Sequence, residues 1–293
     1  MPNEAITSIC CTIMTFHIYA TMDAVGFYHD HLAYWTQNEA QNNLIMSIVS
    51  RAVKEKQELI GWSVTKDNDV VLTAAQTPPH PLLISHGCED ASMALATHFE
   101  GPHFYVSGPV STLDKFVTQW QSRHDLDVTD RTEMTFFMLE TLISVSLPEG
   151  SFNIASEADL DRLLPLMIDG AAAMGLAPSL QRVDVIRPQL KSAIADRRQA
   201  YWEVNGKIVS IARYASSLPD RGARIGGVYT CLAHRKKGIA SALVGSLANS
   251  LFENGQKWVS LFADNANTTS TQLYQRLGFR PVFQSATVSF KHC

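Results

Sequence analysis

The chain has 293 residues, of which 46% are hydrophobic and 18% charged. That is the composition of a soluble globular protein of roughly two domains at ~150 residues each; it excludes a disordered, collagenous or disulfide-framework chain. The net charge of −4 hides two unlike halves: residues 1–145 carry 7 Lys/Arg against 17 Asp/Glu (−10), residues 146–293 carry 17 against 11 (+6). A basic half can meet an anionic ligand or a nucleic acid, and motifs must decide between them.

The first Lys or Arg is Arg51, so neither a secretory signal nor a mitochondrial transit peptide is expected. Apolar runs such as Ile6 to Met14 fall short of the ~20 residues that span a bilayer, and no membrane partner is expected. Five cysteines without a C-x-x-C pair (Cys10, Cys11, Cys88, Cys231, Cys293) read as free thiols in a cytoplasmic protein.

In chain order, Thr15 to Ala20 reads as a strand and Asp23 to Trp35 as a helix. Glu39 to Lys54 reads as a second helix, with Leu44, Ile45, Ile48, Val49 and Ala52 at helical spacing. Ile60 to Thr65 and Val70 to Ala75 flank a turn at Lys66-Asp67-Asn68-Asp69. Pro78, Pro79 and Pro81 make any strand that follows an edge or irregular one. Ser92 to Glu100 reads as helix, His103 to Ser107 as extended, Ser111 to His124 as helix and Met134 to Ile143 as extended. A linker is expected over Leu147 to Ser151.

The second half repeats this order. Phe152 to Ala155 is a strand, and Ser156 caps a helix with Asp159 in its first turn. Asp184 to Arg198 is a second helix. Ala200 to Val204 and Lys207 to Tyr214 form a hairpin about Asn205-Gly206. Arg224 to Thr230 is a strand, Gly238 to Asn254 a long helix closed by Gly255, Trp258 to Ala263 a strand, Ser270 to Leu277 a helix, and Pro281 to Phe290 a last strand. The order βααβββαβαβ occurs about twice. It predicts an α+β protein, each half a mixed, mainly antiparallel sheet flanked by helices, with boundaries at 1–147 and 151–293.

The informative segment is Val228-Tyr229-Thr230, then Arg235-Lys236-Lys237-Gly238-Ile239-Ala240 opening the long helix. A strand that runs through a basic, glycine-containing turn into a helix makes an anion cradle, because the first-turn N–H groups and the helix dipole both favour negative charge. The alternative is a solvated basic turn. Neither a P-loop nor G-x-G-x-x-G is present.

Arg235-x-x-Gly238-x-Ala240, followed by Asn267-x-x-Ser270-x-x-Leu273-Tyr274-x-x-x-Gly278-Phe279, closely resembles the GNAT superfamily of N-acetyltransferases from about Phe152 to the C-terminus. The first half, with Glu39-Ala40-Gln41-Asn42-Asn43-Leu44 and Gln76-Thr77-Pro78-Pro79-His80-Pro81, is similar to the degenerate N-terminal GNAT-like domain of a two-domain bacterial subgroup. No pyrophosphate signature occurs between His103 and Ser111, where Ser107-Gly108-Pro109 stands at a strand–helix junction.

The resemblance implies acetyl-CoA as co-substrate, no metal, and direct transfer to a primary amine of a small molecule or peptide. Arg235, Lys236, Lys237, Gly238, Ile239 and Ala240 would hold the pyrophosphate, helped by Ser241. Val228 and Thr230 would pair with the pantetheine arm, and Gly226-Gly227 would form a bulge that admits it, or would serve tight strand packing. Asn267, with Ser270 in its motif, would bind the cofactor chain or cap the next helix. Tyr274 would give a proton to the leaving thiolate (phenol ~10, thiol ~8.5) or simply pack on an apolar helix face.

A lysine-like amine is neutral in only about 1 part in 2,500 at pH 7, so that acceptor class needs a base and an α-amine hardly does. Glu203, Asp264 and His234 are the candidate bases, each equally explained by a structural role. Cys231 stands where a proline-like turn is expected. His29-Asp30-His31 diverges on a helix and makes a poor metal site. A non-catalytic acyl-CoA sensor is the alternative function. No nucleic-acid motif is present and no nucleic-acid partner is expected; a homodimer is left open.

Overall fold

A computed structural model describes residues 6–11, 14–99, 105–216 and 221–292. The expected positions His103, Phe104 and Cys293 lie outside them. Chain contacts define two units: residues up to Phe136 with Asp264–Ala266 and the stretch from Val282, and Phe137–Ala263 with Asn267–Pro281. The first holds 8 basic and 17 acidic residues, the second 16 and 11, so the charge asymmetry persists at −9 and +5.

The first unit contains β1 (Ile6–Cys11), β2 (Met14–Thr21), α1 (Ala24–Gln37), α2 (Glu39–Glu55), β3 (Ile60–Lys66), β4 (Asp69–Gln76) and β5 (Leu82–Ile84). It continues with α3 (Glu89–His98), β6 (Tyr105–Pro109), α4 (Val110–Gln121) and most of β7 (Leu126–Leu139). In sequence order its strands are also neighbours, β1 to β6. β5 pairs antiparallel to β4 and parallel to β6, so this wholly buried three-residue strand is interior; of the two expectations the prolines raised, edge or irregular, the edge one does not hold. Pro81 precedes it and takes no ladder position. β7 starts eight residues before the expected Met134, because Asp127 to Arg131 are exposed and break the apolar alternation. It ends at Leu139, and the amide of Ile143 bonds the Leu277 carbonyl instead.

The second unit contains β8 (Ser151–Ile154), a 3-10 turn at Glu157–Asp159, α5 (Leu160–Ala173), α6 (Val183–Ala195), β9 (Gln199–Val204), β10 (Lys207–Ser216) and β11 (Gly222–Thr230). α7 (Ile239–Glu253), β12 (Trp258–Asp264), α8 (Thr268–Arg276) and β13 (Arg280–His292) follow. Its strand order is β12-β11-β10-β9-β8. Ser156 and Asp159 form a reciprocal capping box. Asn205 and Gly206 both have positive φ (49° and 76°), as the tight hairpin requires.

The order βααβββαβαβ is realised twice, but not in two contiguous halves. From Val282 onward β13 belongs to the first unit, where Ser285–Ser289 pair antiparallel with Pro109–Tyr105 of β6. Ala286, Val288 and Phe290 are buried in that unit's core beside Val106, Phe116 and Trp120. In the second unit, one face of the sheet packs on α7 through Ile239, Leu243, Val244, Leu247 and Leu251. The other packs on α5 and α6 through Leu163, Leu190 and Ile194. Each large apolar side chain so buried contributes roughly 1.5–3 kcal/mol.

Candidate functional site

Strand β11 is where the second sheet opens. It pairs in parallel with β12 over Gly222–Arg224 and Trp258–Ser260, and the register runs no further. On its other side Ile211 faces Tyr229 and Arg213 faces Gly226, so Gly227 and Val228 together oppose Ala212. The bulge therefore falls one residue later than expected, at Gly227-Val228 rather than Gly226-Gly227, and Gly227 takes the φ of +62° that favours glycine there.

Beyond the bulge the strand end is tied down. Ser210 Oγ donates to the Tyr229 carbonyl (2.9 Å) and lies 2.7 Å from Thr230 Oγ1. The Cys231 amide donates to the Val209 carbonyl. Arg235 Nε donates to the Thr230 carbonyl (3.0 Å), and its guanidinium carbon sits 5.6 Å from the Tyr229 ring centre. The Thr230 carbonyl thus already has a partner, and the Arg235 guanidinium is oriented rather than trailing in solvent.

The turn that follows curls through Lys236 (φ 60°) and Gly238 (φ 78°) into α7, which starts without a side-chain cap. Lys236, Lys237 and Gly238 are exposed, Ala240 and Ser241 half-buried, and Ile239 is buried and pins the helix to the core. A Cβ at Gly238 would meet nothing within 4 Å, so the space over this backbone is open. Uncapped first-turn amides, a curled main chain and three cations could together hold an anion. Pyrophosphate fits that donor set.

Asn267 caps α8, its Oδ1 accepting from the Ser270 amide (3.1 Å). Tyr274, about two turns later, is 7% exposed and packs edge-to-face on Phe279 at 5.9 Å. Burial pushes its phenol up to about 12. Tyr274 belongs to the same core cluster as Ile239 of α7, against which Val228 and Cys231 also pack. All four residues therefore belong to, or border, the core on the α7 side of the second sheet.

The candidate bases all have structural partners. Glu203 is ion-paired with Arg162 (2.8 Å), which also holds Asp159 (2.7 Å). Asp264 Oδ1 accepts from the Ala266 amide. His234 Nδ1 lies 3.2 Å from Cys231 Sγ. Sequence reasoning passed over Arg213, whose side chain lies over the bulge, and Gly170 of α5, which packs against Tyr229. Neither sits in a motif: Arg213 is placed only by strand register and Gly170 only by the packing of α5 on β11.

By element order, the counterpart of the cradle in the first unit is the turn after β5, not Ser107-Gly108-Pro109. That turn is closed by its own neighbours. Ser85 and Cys88 amides bond the Thr73 and Val71 carbonyls, and the His86 amide bonds Asn42 Oδ1 (3.1 Å). Tyr34 Oη donates to the Val71 and His86 carbonyls, and a Cβ on Gly87 would collide with both Tyr34 and Val71. α3 then opens with Glu89 and Asp90, the wrong sign for a polyanion. His31, from the His29-Asp30-His31 run, is buried; its Nδ1 bonds the Phe27 carbonyl and its Nε2 meets Ser63 Oγ, each at 2.7 Å. Since a carbonyl only accepts, Nδ1 carries the proton.

Among the described residues no helix is long and apolar enough to cross a membrane. The family model for FR47-like proteins matches residues 209–288, which include the whole cradle. No curated protein matches the chain by sequence. Solved structures do. A Drosophila protein is 8% identical, covering 92% of this chain and 97% of its own at TM-score 0.66. A GCN5-related N-acetyltransferase from Sphaerobacter thermophilus is 14% identical (79% and 80% covered, TM-score 0.58). A tandem GNAT protein from the clavulanic acid biosynthesis pathway is 12% identical (93% and 97% covered, TM-score 0.55). The chain thus has the fold of these proteins over nearly its whole length, and the match to the FR47-like family model lies on its cradle.

Proposed function

We infer that the chain is an N-acetyltransferase that takes acetyl-CoA in its second unit and passes the acetyl group to a primary amine of a small molecule or peptide. The observation that carries this reading is the opened strand running into an uncapped basic helix start: Gly226 to Thr230, then Arg235 to Ala240. The backbone of Lys236 to Ala240, with Ser241, would hold the pyrophosphate. The backbone of Val228, and the Thr230 N–H, would border the pantetheine arm. Asn267 and Ser270 would stand at its flank, although Asn267 already spends its oxygen on the helix cap. Acetyl-CoA supplies a thioester whose carbonyl carbon accepts the amine.

Tyr274 keeps its proton throughout the neutral range, because burial holds the phenol near 12. That is well above a free thiol at ~8.5, so proton transfer in water would run the other way. A thiolate leaving into the same dry core is destabilised by the same burial, and there the hydroxyl serves as hydrogen-bond donor and proton source. The first unit, with its turn closed and its helix start acidic, is read as a degenerate copy; one acetyl-CoA per chain follows.

The engagement of Glu203, Asp264 and His234 favours, as second reading, an acyl-CoA sensor without turnover. Calorimetry with acetyl-CoA, followed by thiol release over an amine panel, separates the two. Binding near one equivalent with release supports transfer, binding without release leaves the sensor, and no binding removes both.

A further inference from the structure

We propose that Cys231 and His234 form a reactive thiol–imidazole pair that takes up small anionic disulfides, those of glutathione or coenzyme A, as a mixed disulfide. The thiol and the ring meet at 3.2 Å, Sγ to Nδ1. The main chain holds that contact in place. The Cys231 amide donates to the Val209 carbonyl of β10 (3.0 Å), and the His234 amide donates to the Cys231 carbonyl across the 3-10 turn Leu232–His234 (3.0 Å). Both side chains are half-buried, with exposed Leu232 and Ala233 between them, and Cys231 borders the core rather than lying inside it. Positive charge stands beside the pair. Arg235 Nε donates to the Thr230 carbonyl, on the peptide bond that enters Cys231, and exposed Lys236 and Lys237 follow. A thiol with a basic ring at hydrogen-bond distance and cations beside it has the surroundings of a nucleophilic cysteine. Cys88 gives the contrast within the same chain. It too is free and half-buried, but Glu89 and Asp90 follow it.

The step is an exchange. With its own proton on Nε2, the His234 ring accepts the Cys231 proton at Nδ1 as Sγ attacks one sulfur of the disulfide. The new S–S bond forms, the reagent's S–S bond breaks, and the departing thiolate takes a proton from the imidazolium. Cys231 is oxidised, half of the reagent leaves as a thiol, and excess thiol reverses the reaction. Charge selects the reagent. The carboxylates of glutathione disulfide and the phosphates of coenzyme A disulfide meet the cations, whereas a cationic disulfide is repelled. Position gives the consequence, which rests on the acetyltransferase reading above. Cys231 stands between the end of β11 at Thr230 and the basic turn that opens α7, so an adduct on it covers the ground the cofactor would cross.

The test exposes the full, reduced chain to the disulfides of glutathione and coenzyme A, to neutral 2-hydroxyethyl disulfide and to cationic cystamine. Peptide mapping by mass spectrometry reads the rate of adduct formation at each cysteine, with circular dichroism on every variant. Both anionic disulfides should modify Cys231 at least ~10-fold faster than Cys88, and faster than the neutral and cationic reagents do. A lead of one anionic reagent over the other supports the proposal and names the source. His234→Asn should slow every reagent at Cys231 by ~10-fold or more, and Lys236→Gln with Lys237→Gln should slow the anionic ones alone. The glutathione adduct should weaken acetyl-CoA at least ~10-fold in calorimetry, dithiothreitol should restore it, and Cys231→Ser should be indifferent to the treatment. Modification spread evenly over the cysteines, an unchanged rate in His234→Asn, or no preference for anionic reagents overturns the proposal. So does an adduct that leaves acetyl-CoA affinity intact. If the unmodified protein fails to bind acetyl-CoA, the acetyltransferase reading fails, and the mapping still decides by itself whether the pair is reactive.

Discussion

Tyr274 and His31 are both buried and titratable, and they move stability in opposite parts of the pH scale. An unfolded tyrosine ionises near 10, whereas folded Tyr274 and Tyr34 are both held up to about 12. Stability from this source is complete below pH 10 and declines as pH rises from 10 to 12. Tyr274→Phe should flatten part of that decline in urea melts between pH 9 and 11, with Tyr34 supplying the rest. The same variant should slow acetyl transfer by ~100-fold or more while calorimetry finds acetyl-CoA affinity unchanged; full turnover would remove the proton-source role. His31 runs the other way, since burial lowers its pKa. Its contribution is present above ~6.5 and is lost as pH falls below that value. His31→Gln should weaken the acid sensitivity of the first unit, read by tryptophan fluorescence at Trp35. At this scale the sequence spoke clearly about Asn267, whose cap is the expected one. It was silent on the placement of Arg213 at the bulge, which exists only once β10 and β11 are in register.

The helix start at Gly238 shows what an element needs beyond its residues. An alanine there would find empty space, but a φ of +78° costs a Cβ-bearing residue roughly 1–2 kcal/mol. Gly238→Ala should therefore lower the melting temperature modestly, yet weaken acetyl-CoA at least ~10-fold, because the added methyl would occupy the space over the cradle. A thermal melt and a calorimetric titration on one preparation distinguish the two losses. Long periodic elements such as α2 and α7 were legible because a stripe of buried side chains fixes both the period and the face. β7 and β5 were not. β7 begins with exposed Asp127 to Arg131, which carry no apolar alternation. β5 is three residues long and follows a proline run that argues against any interior strand. Its neighbours, not its own composition, place it in the sheet.

For the whole molecule, the double βααβββαβαβ order was readable but the boundary was not. Nothing in Ala286 to Phe290 says which sheet these residues join. Phe290 is buried 5.0 Å from the Trp120 ring. Phe290→Ala, three residues from the end of the sequence, should destabilise the first unit by about 3–5 kcal/mol. Urea denaturation followed by tryptophan fluorescence checks it; a change within ~0.5 kcal/mol would mean that the strand contributes little to that core. The charge asymmetry is a property of the same scale: −9 and +5 belong to units that differ in whether the turn after the third strand of the αβββ run is closed by protein or left open.

The last strand also sets a timetable for synthesis. Ser107 and Ala286 are hydrogen-bonded across a sequence separation of 179 residues. At ~5–20 residues per second, the ribosome needs about 10–35 s after making β6 to supply its partner. During that interval the first unit can have its helices and most of its sheet, but an unpaired edge at β6 and an uncovered Trp120. Such an edge invites pairing with other chains. The polypeptide emerging first is thus completed last, and a truncated product of translation leaves that edge permanently exposed.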